Sequence, residues 1–475
     1  RAIRGTLQGQ PVTHINLFPD QSELVNRVRQ SMWSNRNVLM QAATGSGKTI
    51  MATYMIDQAR KKGSRAGFMV PRRELLKQTA QTMDKYGIPY GCVAAGWRPD
   101  PFAKVQLMSV GTVARRLDSA PRLNVLFIDE AHFGGDELDR VIRHYQAQGT
   151  WLVGLSATPW KLSGKGLGVW YDDMQEGPSI RWLMDNNRLS DYRLFAPSAP
   201  DLSGIKTVAG DYAKGELNNI MEHDRVLIGN AAKHYKTHAM GRLNVAYCTS
   251  IKHAEITASA FRDAGIPAAH VSGKMDDAEI TRRVKAFARR EILTLCNADL
   301  LTFGFDLSAA SGMDVTIESM SDLRPTKSLA LQCQKWGRVL RMKNEPALIF
   351  DHAGNSAPDL HGLPDSDRDW TLEGRDRRRS DGEKTEPTRQ CQECYFVHRP
   401  SPTCPNCGNV YPVIGRQIDE VEGELEEVTE RGMTPKQEIG MVARTEGLQG
   451  LIDYGRAKGY KPGWARKQAQ IRGLA

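Results

Sequence analysis

At 475 residues, 40% hydrophobic and 25% charged, the chain has ordinary globular usage, and at roughly 150 residues per domain it is long enough for about three cores. A minimal peptide module is excluded, and no run approaches the roughly 18 apolar residues of a membrane-spanning helix. The 64 Lys+Arg against 55 Asp+Glu leave a formal charge of +9, which favours a polyanionic partner such as nucleic acid.

The opening RAIRGTLQGQ lacks the apolar stretch of a signal peptide, so cytoplasmic placement is expected. From Asn37 to Thr158, short apolar runs alternate with helix-like segments, the βαβ rhythm of a parallel sheet. The runs are Asn37–Ala43, Gly67–Val70, Val105–Val110, Val125–Ile128 and Trp151–Leu155. The rhythm stops after Pro159 and resumes at Asn244 with NVAYCTS, AAHVSG, EILTLCN, DVTIES and ALIFDHAG. An α/β chain with two such domains is expected over the first 355 residues. Between them, RWLMDNNRLSDYRLF is expected to begin with a helix and LNNIMEHDRVLIGNAAKHY reads as another. Past His352 the stretch SDRDWTLEGRDRRRSDGEKTEPTRQ is charged and poor in aliphatics, the composition of a linker.

QAATGSGKT (Gln41–Thr49) follows an apolar strand and opens a helix-compatible stretch, the context of a phosphate-binding P-loop. Thr44, Gly45, Ser46 and Gly47 let backbone N–H groups approach a phosphate closely, and the helix that follows adds a favourable dipole. Lys48 would reach the β- and γ-phosphates, with the Thr49 hydroxyl joining a Mg²⁺ shell. Val125-Leu-Phe-Ile-Asp-Glu-Ala-His132 delivers two carboxylates at a strand end. Asp129 is placed to hold Mg²⁺, and Glu130 to orient and deprotonate the attacking water.

QAATGSGKT, DEAH and the SAT of Leu155–Pro159 resemble motifs I, II and III of superfamily 2 helicases and translocases, although Ala42 replaces the usual first glycine. VPRREL (Val70–Leu75) resembles motif Ia, SVGTVARR (Ser109–Arg116) the Ic region, and Phe18-Pro-Asp-Gln21 the adenine-reading element, with Gln21 as the reader. AYCTS (Ala246–Ser250), LTFGFDLS (Leu301–Ser308) and Gln334-Lys-Trp-Gly-Arg-Val-Leu-Arg341 resemble motifs IV, V and VI. The QKWGRVLR and DHAGN phrases and a following cysteine pair are most similar to RadD-type and phage-encoded DNA helicases, proteins associated with repair and recombination.

The resemblance implies ATP and Mg²⁺ as cofactors and two RecA-like parallel-sheet domains in tandem. The expected domains are 1–190 and 244–357, joined by 191–243 and followed by a charged linker at 358–388. It implies Gln334, Arg338 and Arg341 as catalytic partners from the second domain, Arg341 matching an arginine finger. Gly304 and Asp306 would sit by the ribose and phosphates, while His132, Ser156 and Thr158 would couple the ATP site to a nucleic-acid path. Arg72, Arg73, Thr112, Thr249, Ser272 and Thr302 would contact backbone phosphates, contacts that carry little base specificity. DNA is the expected partner. Three readings stay open beside it: an RNA-remodelling helicase, an ATP-gated binding module, and the motor subunit of a defence complex.

Cys391, Cys394, Cys404 and Cys407 form C-x2-C-x9-C-x2-C, two close pairs able to wrap a structural Zn²⁺ as a short ribbon over 389–415. The other four cysteines are scattered, as buried reduced thiols are. The ribbon can fold a small module that docks DNA or a protein. An acidic run, Ile418–Glu430, then precedes a tail with six Lys/Arg between Arg456 and Arg472 and no acidic residue in that span. With Tyr454, Tyr460 and Trp464 interleaved, the tail reads equally as a backbone-tracking, base-stacking segment or as an amphipathic helix with a solvated basic face.

Overall fold

The computed structural model describes residues 14–71, 73–133, 135–161, 163–197, 199–301, 305–374, 387–412, 435–461, 463–472 and 474. They fall into two compact units, Arg1–Tyr411 and Pro412–Ala475.

The larger unit opens with helix α1 (Pro19–Ser31), strand β1 (Asn37–Gln41), α2 (Lys48–Lys61), β2 (Ala66–Val70), α3 (Arg73–Lys85) and β3 (Gly91–Val93). There follow β4 (Val105–Ser109), α4 (Val110–Ala114), β5 (Val125–Ile128), α5 (Asp136–Ala147), β6 (Trp151–Ser156) and β7 (Asp173–Glu176). The seven strands form one parallel sheet in the order β3-β4-β2-β5-β6-β1-β7. Every residue of β2, β4 and β5 is buried, because helices cover both faces and leave no solvated side for alternating polar residues. Val38, Met40, Phe68 and Phe127 fill one face, and Leu39, Met69, Leu126 and Ile128 the other.

A crossover with α6 (Ile180–Asp185) leads to β8 (Tyr192–Phe195), the hairpin β9 (Thr207–Val208) and β10 (Asp211–Tyr212), α7 (Lys214–His223) and α8 (Arg225–His238). Then come β11 (Asn244–Tyr247), α9 (Ile251–Asp263), β12 (Ala268–Ser272), α10 (Asp277–Ala288), β13 (Thr294–Ala298) and α11 (Leu307–Ser311). The unit closes with β14 (Ser319–Asp322), α12 (Leu329–Val339), β15 (Ala347–Asp351), β16 (Arg389–Gln390) and β17 (Phe396–His398). The second sheet has the order β12-β13-β11-β14-β15-β8-β17-β16. Its first six strands are parallel, and β17 joins β8 antiparallel.

Four expectations change. The strand expected at DVTIES lies instead at Ser319–Asp322, where Ser319 and Ser321 are buried because both hydroxyls bond the Asn244 amide of β11. Tyr192–Phe195 belongs to the second sheet, paired with β15, so this domain begins before the expected boundary of 244.

The segment through Gly374, expected as a linker, is packed. Asp365 is 2% exposed and accepts from Arg181, Tyr192 and Arg399, while Leu372 O and Thr371 O accept from Gly168 and Trp160 of the first half. The cysteine ribbon, finally, extends the second sheet through β17 rather than standing as a separate module. The four scattered cysteines, Cys92, Cys248, Cys296 and Cys333, are buried free thiols, and the acidic run Ile418–Glu430 lies outside the described residues.

The smaller unit is a helical hairpin of α13 (Pro435–Ala457), which breaks at Gly447, and α14 (Trp464–Ile471). Among the described residues no helix is long and apolar enough to cross a membrane.

Candidate active site between the two sheets

The glycine-rich loop runs from the end of β1 into α2. Gly45 and Gly47 both take φ +90, a conformation open to glycine and strained for other residues. Ala42 needs no such freedom, since its N–H continues the sheet by donating to Ser156 O at 2.9 Å.

Gln21 fixes the loop from outside. In the first turn of α1 its Oε1 accepts from Phe18 N at 3.1 Å, and its Nε2 donates to Ser46 O at 2.9 Å. Arg188 of the crossover lies over the Phe18 ring, 3.5 Å from its centroid, and pairs with Asp20 at 3.2 Å.

Lys48 Nζ donates to Ala42 O and Ala43 O at 3.0 and 3.2 Å. Burial pushes its pKa below the usual lysine value, against the pull of Glu130 and Asp129. Asp129, at the end of β5, is pushed up to about 7 by burial and then by Glu130, with Lys48 opposing. A cation beside it would reverse that shift, because an opposite charge favours the carboxylate. Glu130 holds φ +48, backbone strain of the kind that clusters at working sites.

His132 forms a chain across the two halves. Ser156 gives its hydroxyl proton to Thr158 O, so it accepts from His132 Nδ1 at 2.8 Å. That fixes the tautomer: Nε2 is the acceptor, and Gln334 Nε2 of α12 donates to it at 3.1 Å. Burial keeps His132 below its usual pKa, hence neutral.

Gly337, one turn further along α12, lies against the loop. A Cβ there would come within 2.1 Å of Thr44 Cβ. Arg338 is half-buried and donates to Phe305 O at 2.7 Å, and desolvation followed by its neighbour Arg341 lowers its pKa. Arg341 is 41% exposed and meets Asp306 at 3.5 Å, so it is the one with room to swing. Asp306 also accepts from Gln78 of α3 at 3.2 Å, a further contact between the halves.

The structure thus brings together the loop Thr44–Thr49, Asp129, Glu130, His132, Ser156, Thr158, Gln334 and Arg338. Gln78 and Arg188 belong to no motif and nothing in the sequence marks them, whereas Gly337 lies inside the Gln334–Arg341 motif without a role assigned to it there.

Thr44 Oγ1, Glu130 Oε2, Thr158 Oγ1 and Gln334 Oε1 are buried without a hydrogen-bond partner. Orphans of this kind carry a desolvation penalty that a bound ligand relieves, so these residues fit a nucleoside triphosphate and its cation. Arg72, the Arg73 side chain, Thr302 and Gly304 lie outside the described residues. Thr112, Thr249 and Ser272 are buried; Thr112 bonds Ser109 at 2.9 Å and Thr249 contacts His253 at 3.2 Å. This burial is at odds with direct phosphate contact by their side chains in this conformation.

The four ribbon sulfurs lie within 4.8 Å of one another, with Cys391–Cys407 and Cys394–Cys404 at 3.7 Å. Thiolates about 2.3 Å from a tetrahedral zinc would stand about 3.8 Å apart, so the set fits Zn²⁺. Desolvation raises the Cys391 thiol, but the backbone N–H groups of Cys394 and Glu393, with hydrogen bonds from Tyr411 and Cys407, together outweigh it and hold it at about 6. Asn406 Nδ2 donates to Cys394 Sγ at 3.2 Å, a support that sequence spacing did not show.

Two mainly parallel sheets, with the glycine-rich loop and the carboxylate pair of the first facing α12 of the second, form a helicase-type core. Residues 14–161 match the family described as type III restriction enzyme, res subunit. A 51.5 kDa protein of a Lactococcus phage (isolate 7-9) is 30% identical over 394 residues, covering 82% of this chain and 81% of that protein. The chain belongs to the superfamily 2 helicases, in one family with that phage protein.

Two solved structures share the fold. The ATP-dependent type ISP restriction-modification enzyme LlaBIII bound to DNA matches with TM-score 0.50 and 13% identity over 70% of this chain and 27% of that one. The helicase MrfA bound to DNA matches with TM-score 0.50 and 16% identity over 71% and 49%.

Proposed function

We propose that the protein is an ATP- and Mg²⁺-dependent motor that moves along or remodels DNA. The observation that carries this reading is the Ser156–His132–Gln334 chain, which ties the carboxylate strand of one sheet to α12 of the other by hydrogen bonds of 2.8 and 3.1 Å. A site split in this way makes the separation of the two halves depend on what occupies it.

In this reading Lys48 and the loop N–H groups bind the phosphates, Thr49 and Asp129 hold Mg²⁺, and Glu130 takes a proton from the attacking water. Mg²⁺, when bound, supplies charge stabilisation at the leaving phosphate. Arg341 leaves Asp306 to meet the developing charge, while Arg338, held on Phe305 O, fixes the wall beside it. Gln21 and Phe18 lie on the side where the base would bind. Cys391, Cys394, Cys404 and Cys407 hold Zn²⁺ at the edge of the second sheet.

DNA is favoured over RNA by the two DNA-bound proteins that share the fold. Displacement of a third strand from a triplex tests the reading, because a motor moving on duplex DNA strips that strand only while hydrolysing ATP. Release with ATP and none with a non-hydrolysable analogue is expected. Binding that responds to ATP without release would replace the motor with an ATP-gated clamp, and ATP-driven release from RNA substrates alone would make RNA the track.

A further inference from the structure

We infer that the turn between α13 and α14 is a second nucleic-acid-binding surface, outside the motor, that grips the phosphodiester backbone through Lys461, Arg466 and Lys467. The inference rests on the nucleic-acid reading above and concerns a different unit of the chain.

The hairpin decides between the two readings of the tail. Trp464 packs on Tyr460 and Tyr454, with ring centroids 4.6 and 6.1 Å apart, and Tyr454 donates to Glu438 at 2.7 Å. These rings hold the hairpin together, and only Tyr460, 42% exposed, is left to meet a base. Splaying of successive bases over three aromatics is therefore not what the unit is built for.

Its charge is another matter. Ala465 and Ala469 face the small core with Leu451 and Ala443, which leaves Arg466 and Lys467 on the solvent side of α14 beside exposed Lys461. Arg456 and Lys458 have acidic neighbours, Asp453 at 3.5 Å and Glu438 at 4.0 Å. Among the described residues Lys461, Arg466 and Lys467 form no ion pair, and Arg472 bonds only uncharged Gln468.

Like charges gathered without counter-charge repel one another and raise the local potential for a polyanion. Gly459 (φ +72) and Gly463 (φ +98) take left-handed conformations on either side of Lys461. A regular array of phosphates matches this pattern, and its contacts would be independent of sequence.

The test is the salt dependence of binding of the full chain, without nucleotide, to a duplex and to a single-stranded DNA. Each phosphate contact contributes about 0.9 to the slope of log K against log salt on duplex DNA, so the triple variant Lys461→Gln/Arg466→Gln/Lys467→Gln should lower the slope by about 2.7. Over a four-fold rise in salt that makes it about 40-fold less salt-sensitive. The charge-keeping variant Arg466→Lys/Lys467→Arg should keep the wild-type slope, and ATP turnover without nucleic acid should be unchanged in both.

A triple variant that stays folded, with the wild-type slope and affinity, would overturn the inference while leaving the motor reading intact. Loss of slope in the charge-keeping variant as well would show that shape rather than charge is read, and would overturn it too. Wild-type protein that binds neither DNA would remove both readings together.

Discussion

Substituting Gly337 by alanine separates the stability of α12 from its role in closing the site. A glycine inside a helix costs about 1 kcal/mol relative to alanine, so propensity alone predicts that Gly337→Ala strengthens the helix. The contact predicts the reverse for function. The new Cβ would stand 2.1 Å from Thr44 Cβ and 2.4 Å from Thr44 Cγ2, whereas ordinary contact begins at 3.4 Å. The β-branched Thr44 has little rotamer freedom with which to yield, and the loop that carries it is pinned by Gln21.

The two halves must therefore separate by about 1 Å, a displacement that costs on the order of 100-fold when it misplaces groups around a reacting centre. Steady-state turnover should fall by about that factor, with a thermal midpoint equal to or above that of the wild type. Thr44→Gly removes the opposing Cβ, so Thr44→Gly/Gly337→Ala should recover turnover relative to Gly337→Ala alone, a coupling that a double-mutant cycle measures. Near-wild-type turnover in Gly337→Ala, or no recovery in the double variant, would show that the Gly337–Thr44 approach does not govern closure.

Gln21→Ala removes two hydrogen bonds that set the loop; it should destabilise the first half by about 1–3 kcal/mol in urea unfolding and raise KM for ATP, and no change in either would separate Gln21 from the site. Loading with zinc should give one ion per chain, and Cys404→Ser should lower the thermal midpoint, because β17 is hydrogen-bonded to β8 of the second sheet; an unchanged midpoint would contradict that linkage. His352 is buried against His234 with neither ring nitrogen bonded, and burial, then His234, depress its pKa to about 3. A depressed folded-state pKa means that its contribution is complete above about pH 6.5 and drains away as the pH falls towards 3, amounting to a loss of about 1.4 kcal/mol between pH 7.5 and 5.5. Urea unfolding across that range should show the slope, and His352→Leu should flatten it by about one proton.

The phosphate loop and the Asp129–Glu130 pair were legible because each stands at the end of an uninterrupted apolar strand, a local signal. Motif resemblance marked Gln334 and His132 separately, and the structure supplies their pairing, its distance and the tautomer. What escaped depends on partners distant in sequence. Ser319–Asp322 does not look like a buried strand until Asn244 is beside it to satisfy Ser319 and Ser321. Asp365 looks like one more charge in a charged stretch until Arg181, Tyr192 and Arg399 converge on it. The ribbon's spacing shows four ligands, but nothing in CQEC or CPNC shows that the strand between them completes a sheet with Tyr192–Phe195.

In the proposed motor, Glu130 and the loop Thr44–Thr49 hydrolyse ATP in response to DNA. Steady-state ATP hydrolysis by the wild-type chain and by Glu130→Gln, each alone and with single-stranded DNA, duplex DNA, forked DNA or single-stranded RNA at one salt concentration, tests this most directly. Turnover should be stimulated by DNA above RNA in the wild type and abolished in Glu130→Gln, with folding and ATP binding retained. Turnover that persists in Glu130→Gln, or that ignores every nucleic acid, would contradict this mechanism.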